Sequence, residues 1–363
     1  MKKLAIVIPH LSRGGAERVT IYLAEYMNRR GISCEIITFS EWEYEYSVPQ
    51  NIRRIILLNK NESKIKLIPR LRKTIKNNKI DTLLIMDVPT CVFAIPACFG
   101  LCLKVIISER NSPDNFSGKW FVKVLSRYLM KMADGFVFQT EEAKQFYVNK
   151  LKNEGVVIPN PLLCTDLPDL YEGEKDKSIV SVGRLDQQKN QILLIRAFSR
   201  IANQYNDYKL IIYGEGKMRP ILEKEIKTLN MEKKIFLPGN VPDVLKKIKT
   251  ATLFVLPSLY EGMPNALIEA MAMGLPCIAT DCPSGGAREL IKHKKNGILI
   301  RNDHSDELMD AILFVLAHKE DALRMGREAM FVRKKLDGEV IGRKWIDYLR
   351  QCSKKSKHNH VVQ

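Results

Sequence analysis

Two glutamates that lie eight positions apart, Glu261 and Glu269, are the residues of this chain whose type and spacing best suit chemistry. The apolar run Leu253–Leu256 predicts a buried strand, the segment Pro257–Gly262 predicts a loop, and Pro264 suits the first turn of a helix. At about 1.5 Å of rise per residue the two carboxylates would lie roughly 8–12 Å apart, which suits hydroxyl groups at two ends of an elongated ligand such as a sugar nucleotide. An isolated pair of this kind is more often a helix carboxylate with a surface partner, so the assignment depends on the residues around it.

The residues between the two glutamates would form the N-terminus of the predicted helix. Backbone N–H groups at that end, together with the helix dipole, would supply a positive pole for the diphosphate of such a ligand. The donor-site residues predicted on this segment are Gly262, Met263, Pro264, Asn265 and Ala266.

Four further segments follow predicted strands and point to a nucleotide diphosphate. Gly14-Gly15 opens a helix, so its backbone N–H groups could approach a phosphate without obstruction by a side chain. Arg184 and Lys189, which follow Gly183, supply a guanidinium and an ammonium that can neutralise a diphosphate without a metal ion. Two later turns would lie beside the base and ribose, and their candidate residues are Gly214, Glu215 and Val241. Each turn is ordinary by itself, and only their combination is informative.

The composition limits the number of domains, the expected location and the kind of site that the chain can have. At 363 residues, with 45% hydrophobic and 27% charged residues, the chain is long enough for two domains with separate cores. No apolar run reaches the ~18 residues of a membrane span, and the first strand is too short for a signal peptide, so we expect a cytoplasmic protein. The eight cysteines form no Cys-x-x-Cys pair and have no histidine at zinc spacing, which favours reduced thiols and no metal site.

Apolar β-type runs alternate with helical segments along the whole chain, which predicts an α/β fold with parallel sheets. Pro159-Asn160-Pro161 and the polar stretch after it form a linker. We therefore predict two Rossmann-like domains, residues 1–160 and 161–337, which face each other across a ligand-binding cleft. A helix at about 338–352 is expected to cross back to the first domain, and residues 353–363 are expected to be a disordered tail.

The net charge of +17 fits nucleic acid, an anionic membrane surface or a polyanionic substrate. The segment Lys119–Met132 contains no acidic residue and predicts a basic amphipathic helix with an aromatic start. The predicted contacts with an anionic inner-membrane surface are Lys119, Trp120, Phe121, Lys123, Arg127 and Lys131. In the alternative, Trp120 and Phe121 pack inward and the cations only solvate the helix. A second basic segment, Lys60–Lys79, is better explained as a crossover helix with a solvated face.

Taken in order, these motifs resemble glycosyltransferase family 4, the retaining group with the GT-B fold, over essentially the whole chain. The resemblance implies that Arg184 and Lys189 bind the donor diphosphate and that Glu269 holds the ribose. Glu261 would contact the donor sugar, and Gly15 would supply a backbone contact near the diphosphate. It also implies a UDP-sugar donor, no essential metal and no cofactor.

One segment departs from the family pattern. Many members have a histidine that faces the donor sugar after the strand corresponding to Lys104–Ser108, where this chain has Ser108-Glu109-Arg110-Asn111. Arg110 or Glu109 would take that place as a catalytic residue. The Ser-Glu-Arg-Asn sequence resembles members that use N-acetylgalactosamine or galactose donors in surface-polysaccharide (O-antigen, capsule) assembly.

A retaining transfer of this kind can proceed by attack on the same face as the leaving group. The departing diphosphate would be stabilised by Arg184 and Lys189, and its oxygen would take the proton of the acceptor. The acceptor is expected to be a glycan on a polyprenyl diphosphate, met at the inner face of the membrane. His10, next to the end of the first strand, would face the same cleft, where a structural role is favoured for it.

Two other classes fit less well. A nucleic-acid-binding protein would need a helix-turn-helix, zinc or aromatic-platform signature, and the sequence has none, so no nucleic-acid partner is expected. A sugar-nucleotide epimerase or a phosphorylase on the same two-domain plan would need proton-transfer carboxylates or a lysine-bound cofactor, and the sequence supports neither.

Overall fold

The computed structural model describes residues 1–12, 14–110, 120–148, 150–151, 155–163 and 167–354. These residues form two compact units, each with its own sheet. The first unit contains the chain up to Pro161 and the chain from Glu339 onward, and the second contains Leu162–Gly338.

A parallel sheet, seven-stranded within the described residues, forms the centre of the first unit, in the order β3-β2-β1-β4-β5-β6-β7. Its strands are β1 (Lys3–Ile8), β2 (Ser33–Thr38), β3 (Arg54–Ile56), β4 (Thr82–Ile85), β5 (Lys104–Ser108), β6 (Gly135–Phe138) and β7 (Val156–Val157). Its helices are α1 (Gly15–Arg29), α2 (Leu67–Asn77), α3 (Cys91–Cys98), α4 (Trp120–Leu129) and α5 (Glu141–Tyr147). β1 pairs with β2 and β4, with Ile6 opposite both Ile36 and Leu84.

The second unit repeats the plan with a parallel sheet that is six-stranded within the described residues, in the order β10-β9-β8-β11-β12-β13. Its strands are β8 (Asp176–Val182), β9 (Lys209–Tyr213), β10 (Ile235–Gly239), β11 (Ala251–Leu256), β12 (Cys277–Asp281) and β13 (Ile298–Arg301). Its helices are α6 (Gln191–Ile201), α7 (Arg219–Thr228), α8 (Val244–Ile248), α9 (Asn265–Ala272), α10 (Gly286–Leu290), α11 (Ser305–Ala317), α12 (Lys319–Ala329) and α13 (Val332–Lys335).

Both sheets therefore have Rossmann-like order, and the prediction of an α/β fold with parallel sheets is confirmed. Their central strands are almost continuous apolar runs, because helices cover both faces of such a sheet. Each unit has a separate core, around Ile85 and Ile107 in the first and around Leu210 and Val255 in the second. In each sheet the strand order reverses beside the first strand, and ligands of such sheets bind at the carboxyl ends of the strands there.

Some helices are shorter than their patterns predict. The sequence pattern predicts a helix from Thr90 to Leu101, but the helix ends at Cys98, two residues before Gly100, which adopts a left-handed conformation (φ 67°). The pattern also predicts a helix from Pro242 to Thr250, but this segment is helical only over α8, because Asp243 is left-handed (φ 51°) and the helix begins after it.

The last helix, α14 (Gly338–Lys354), packs in the first unit. Phe136 N donates to Tyr348 Oη at 2.9 Å, and Trp345 is fully buried. Gly342 lies so close to Tyr26 that a Cβ would come within 2.5 Å of its ring. The predicted disordered tail is wrong for residues 353 and 354, because α14 continues through Lys354. The remainder of that tail lies outside the described residues.

Candidate active site

The predicted diphosphate-binding loop joins β8 to α6 in the second unit. Gly183 N donates to Tyr213 O of the neighbouring strand at 3.0 Å, so the loop begins where the two strands end. Gly214 opens the next turn with φ 138°, and a Cβ there would come within 1.9 Å of Gly183 O. The close approach and the backbone conformation both require glycine at position 214.

Lys189 and Glu261, predicted independently from two different strand ends, are in direct contact. The Lys189 ammonium donates to Glu261 Oε1, and only 16% and 8% of the two side chains are exposed. Ser258 Oγ donates to the same carboxylate oxygen at 2.7 Å. Asp186 accepts from Lys189 N at 3.1 Å and thereby caps the short 3-10 turn that carries the lysine. A charge pair this well buried needs such accompanying hydrogen bonds.

Arg184 differs from Lys189 in its exposure to solvent, since 67% of its side chain is exposed. Its guanidinium lies 3.3 Å from Asp186 and 3.4 Å from Gln188 Oε1, a weak pair of contacts for an arginine. Gln188 in turn donates to Tyr260 O at 2.9 Å and accepts from Leu259 N at 2.8 Å. The loop that carries Arg184 is therefore held to the loop that carries Glu261, while the guanidinium itself faces solvent.

The segment after Glu261 turns into α9. Gly262 packs so closely on Gly286 that a Cβ on Gly286 would come within 1.7 Å of Gly262 O. Pro264 is the residue before the helix, with φ −79° and ψ 102°, rather than a residue of its first turn, so that prediction is wrong by one position. Met263 is 7% exposed, and the structure places Asn265, Ala266 and Glu269 half-buried on α9.

The turn after β9 holds Glu215, whose carboxylate is engaged by its neighbour. Arg219 donates to Glu215 Oε2 through Nε at 2.8 Å and to Oε1 through Nη2 at 2.6 Å. These hydrogen bonds lower the pKa of Glu215. Gly239 approaches the same carboxylate, since a Cβ would come within 2.6 Å of Glu215 Oε1. Val241 follows in the next turn and is half-buried.

In the first unit, Glu109 and Arg110 follow β5 and are both 6% exposed. Tyr147 Oη donates to Glu109 Oε2 at 3.2 Å, and burial followed by the Glu109 charge raises the pKa of Tyr147. Arg110 donates to Asn160 Oδ1 at 2.9 Å, and its guanidinium lies 5.2 Å from the ring of Trp345 on α14. Burial lowers the pKa of Arg110 to about 9 against the opposing effect of Glu109, so Arg110 remains a cation at neutral pH.

Gly14 and Gly15 open α1 at the carboxyl end of β1. Gly14 N donates to Ser12 O at 2.7 Å, and a Cβ on Gly14 would meet Glu17 Oε2 at 2.4 Å, while Gly15 is exposed. His10 Nδ1 accepts from Ser12 N at 3.4 Å, and its ring packs 4.8 Å from that of Trp42.

Three residues at or near the candidate site are not predicted from the sequence. Ser258 holds Glu261, Asn160 accepts from both Arg110 and Gln139, and Asp87 follows β4. Burial raises the pKa of Asp87, against the effect of a hydrogen bond from Thr90 N at 2.8 Å. Only Asp87 carries a sequence signal, since an acidic residue directly after a buried strand is a candidate at any sheet of this type.

Helix α4 and the 3-10 turn that follows it, Met130–Met132, expose an apolar surface. The exposed fractions of Trp120, Phe121 and Tyr128 are 76%, 55% and 67%, and Val124, Leu125 and Met132 are also exposed. The alternative in which Trp120 and Phe121 pack inward is therefore wrong. Arg127 is half-buried and lies 5.2 Å from the Phe146 ring, and Lys119 is outside the described residues. Within the described part of the chain, no helix is long and apolar enough to cross a bilayer.

Comparison with known proteins covers both units. A family model described as Glycosyltransferase Family 4 matches residues 13–162, and one described as Glycosyl transferases group 1 matches residues 166–330. An uncharacterized glycosyltransferase of Haemophilus influenzae is 30% identical over 95% of this chain and 99% of its own length. The N-acetylgalactosamine-N,N'-diacetylbacillosaminyl-diphospho-undecaprenol 4-alpha-N-acetylgalactosaminyltransferase of Campylobacter jejuni is 28% identical over 96% of this chain and 100% of its own.

Solved structures agree on the fold. The crystal structure of Anabaena HepE in complex with UDP-glucose superposes with a TM-score of 0.83 at 19% identity, over 96% of this chain and 99% of that one. With relatives along nearly its full length and a family model on each unit, the chain belongs to glycosyltransferase family 4 and has the GT-B fold.

Proposed function

We propose that the protein is a retaining, metal-independent hexosyltransferase that moves a sugar from a UDP-sugar to a glycan carried on a polyprenyl diphosphate. The bond between the anomeric carbon and the diphosphate oxygen breaks, and a bond from the same face of that carbon to an acceptor hydroxyl forms. The hydroxyl proton goes to the departing diphosphate. The observation that carries the proposal is the buried contact between Lys189 and Glu261, with the exposed guanidinium of Arg184 on the same loop.

The contacts of Lys189 suit a role at the leaving group. An ammonium has three N–H donors, so one can remain on Glu261 while another meets a diphosphate oxygen. Glu261 then lies beside the sugar that the diphosphate carries, where its carboxylate can accept from a sugar hydroxyl. Arg184 supplies the second cation from its solvent-facing position, and Glu269 on α9 accepts from the ribose. Gly15 donates a backbone N–H near the diphosphate.

The charge that develops on the diphosphate is thus met by side chains, which supports a reaction that needs no metal ion. Addition of a chelator should leave the rate unchanged. A rate that falls with chelator and recovers with Mg²⁺ would contradict this part of the proposal.

The donor and acceptor are proposed by analogy with relatives. The Campylobacter jejuni relative is named for the transfer of N-acetylgalactosamine to a diphospho-undecaprenol-linked sugar, which supports N-acetylgalactosamine as the sugar and a lipid-linked acceptor. Galactose as the alternative sugar and surface-polysaccharide assembly as the setting are proposed from the resemblance of the Ser-Glu-Arg-Asn segment. Glu109 and Arg110, which replace the usual histidine, are proposed to face the reacting sugar. Their burial argues for a fixed position, because neither side chain can reorient freely.

The exposed surface of α4 supports peripheral attachment at the cytoplasmic face of the membrane. Trp120, Phe121 and Tyr128 are aromatic side chains of the kind that favour the bilayer interface. Lys123 and Lys131 add cations, and a cation is worth about 1 kcal/mol near an anionic surface. Arg127 lies 5.2 Å from the Phe146 ring. Attachment there would bring a lipid-linked acceptor within reach.

Two measurements test the proposal. Release of UDP from a panel of nucleotide sugars, followed by NMR of the anomeric configuration of the product, tests the donor and retention; an inverted product would contradict the mechanism. Sedimentation with anionic vesicles at low and high salt tests attachment. The Trp120→Ser/Phe121→Ser variant should stay in the supernatant, while a control with Lys73→Gln and Lys76→Gln on the exposed side of α2 should sediment like the wild type. Equal sedimentation of all three proteins would show that α4 is not the anchor.

A further inference from the structure

A cavity of about 370 Å³ lies beside the loop that carries Arg184 and Lys189, and its lining includes neither of these residues. Its polar lining consists of the carboxylates of Asp186 and Asp303 and the amides of Gln187, Asn190 and Gln191, and its apolar side includes Ile192, Met218 and Leu222. The volume is in the range of small-molecule sites.

Two polar side chains of this cavity have acceptor capacity that the described residues leave unused. Gln191 is 2% exposed, and its Nε2 donates to Arg184 O at 2.8 Å, which leaves Oε1 without a hydrogen-bond partner among the described residues. A buried acceptor without a donor is costly, so Oε1 is a position where a ligand N–H would be stabilised. Asp303 accepts from Asn190 Nδ2 at 3.0 Å and keeps further acceptor capacity, as a carboxylate has about four lone-pair sites.

The charge of the lining also favours a ligand that donates hydrogen bonds. The chain has a net charge of +17, yet within its described part no lysine or arginine lines this cavity, which contains two carboxylates. We propose that the cavity binds a small organic cation, a primary ammonium on a short aliphatic chain. One ammonium would donate to Asp186, Asp303 and Gln191 Oε1, the methylene groups would pack on the apolar side, and a second ammonium, where the ligand has one, would remain in solvent.

The position of Asp186 would couple this cation to the donor site. Asp186 caps the turn of Lys189 and is also the carboxylate that lies 3.3 Å from Arg184. An ammonium on Asp186 shares the negative charge of that carboxylate and so weakens its attraction for the guanidinium, which favours release of Arg184 toward a diphosphate. The cation should therefore raise the affinity for UDP. This coupling rests on the proposed function, whereas binding of the cation does not.

The direct test is calorimetric titration of the full chain with butane-1,4-diammonium, with butane-1,4-diol as the neutral control. The diammonium should bind and the diol should not. Asp303→Asn, which keeps a residue that tolerates the left-handed conformation (φ 56°), should weaken binding about tenfold, equivalent to about 1.4 kcal/mol. Met218→Lys places an ammonium of the chain itself in the cavity and should abolish binding, whereas the neutral Met218→Gln should retain it. The melting temperature of each variant shows whether it folds.

Several results would overturn the inference. They are equal binding of diol and diammonium, full binding by Met218→Lys, or displacement of the diammonium by UDP, which would assign the cavity to the donor site. At saturating diammonium the affinity for UDP should rise about fivefold, and an unchanged affinity would refute the coupling. Absence of UDP binding under every condition would count against the proposed function, because the calorimetric signal of the diammonium is independent of it.

Discussion

The contact between Lys189 and Glu261 allows catalysis and stability to be separated by two substitutions. The Glu261 side chain is 8% exposed, and Lys189→Met would leave its carboxylate without its cation. Removal of one partner from a buried pair costs about 3–5 kcal/mol, and the partial exposure of Lys189 places this case near the lower value, about 3 kcal/mol. For a unit of this size the loss corresponds to a fall of about 6–12 °C in melting temperature.

The second substitution should reverse the stability loss. Glu261→Gln removes the unpaired charge but keeps an oxygen that can accept from Ser258 Oγ. The Lys189→Met/Glu261→Gln variant should therefore recover most of the lost melting temperature, while its transfer rate stays at least tenfold below that of the wild type. Glu261→Gln alone should destabilise less than Lys189→Met, because a lysine side chain can extend its ammonium to water.

Scanning calorimetry and UDP release are measured for the wild type, Lys189→Met, Glu261→Gln and the double variant. Arg200→Met serves as the control, since its ion pair with Asp306 is exposed and should contribute nothing measurable to either quantity. If the double variant melts no higher than Lys189→Met, the two charges are not coupled. If it regains both stability and wild-type transfer, the pair is structural and has no part in the reaction.

Three further outcomes are expected. Arg184→Ala should lower turnover by roughly tenfold or more, with no change in melting temperature because its side chain is 67% exposed, and an unaltered rate would remove it from the leaving-group site. Glu269→Gln should raise the KM for the donor with little effect on kcat, and a fall in kcat alone would contradict its assignment to the ribose. Native alkylation followed by mass spectrometry should modify the exposed Cys102 well before Cys282, because burial raises the pKa of Cys282 to about 12; faster labelling of Cys282 would contradict its burial.

Sequence patterns predict the architecture of this chain well, since period and length distinguish buried parallel strands from helices. The limits of β5 and β9 are those of the apolar runs Lys104–Ser108 and Lys209–Tyr213, and α11 begins and ends where its sequence pattern predicts, at Ser305 and Ala317. Local backbone conformation is less visible in the sequence. The left-handed Asp243 shortens α8, and the start of α9 after Pro264 depends on the loop before it.

The candidate site is predicted only in part. The sequence shows where strands end, but it does not show which side chains at different strand ends contact each other. Lys189 and Glu261 could each be placed after a strand, but their mutual contact depends on the neighbouring positions of β8 and β11 in the sheet. The sequence pattern places Asn160 in a linker, and nothing in its sequence surroundings indicates that it accepts from Arg110, 50 positions away. The exposure of the Trp120 side chain likewise depends on which face of α4 packs on the rest of the first unit.

We propose that this glycosyltransferase uses Arg184 and Lys189 on the diphosphate of a UDP-sugar. This proposal is tested most directly by UDP release from UDP-N-acetylgalactosamine, UDP-galactose, UDP-N-acetylglucosamine and UDP-glucose, with a polyprenyl-diphosphate-linked glycan as acceptor and chelator present. We predict that wild-type protein releases UDP from at least one of them, best from the first or second, and that Arg184→Ala and Lys189→Met lose most of that release. UDP release that is equal in wild type and both variants, or that requires a divalent metal ion, would contradict the account.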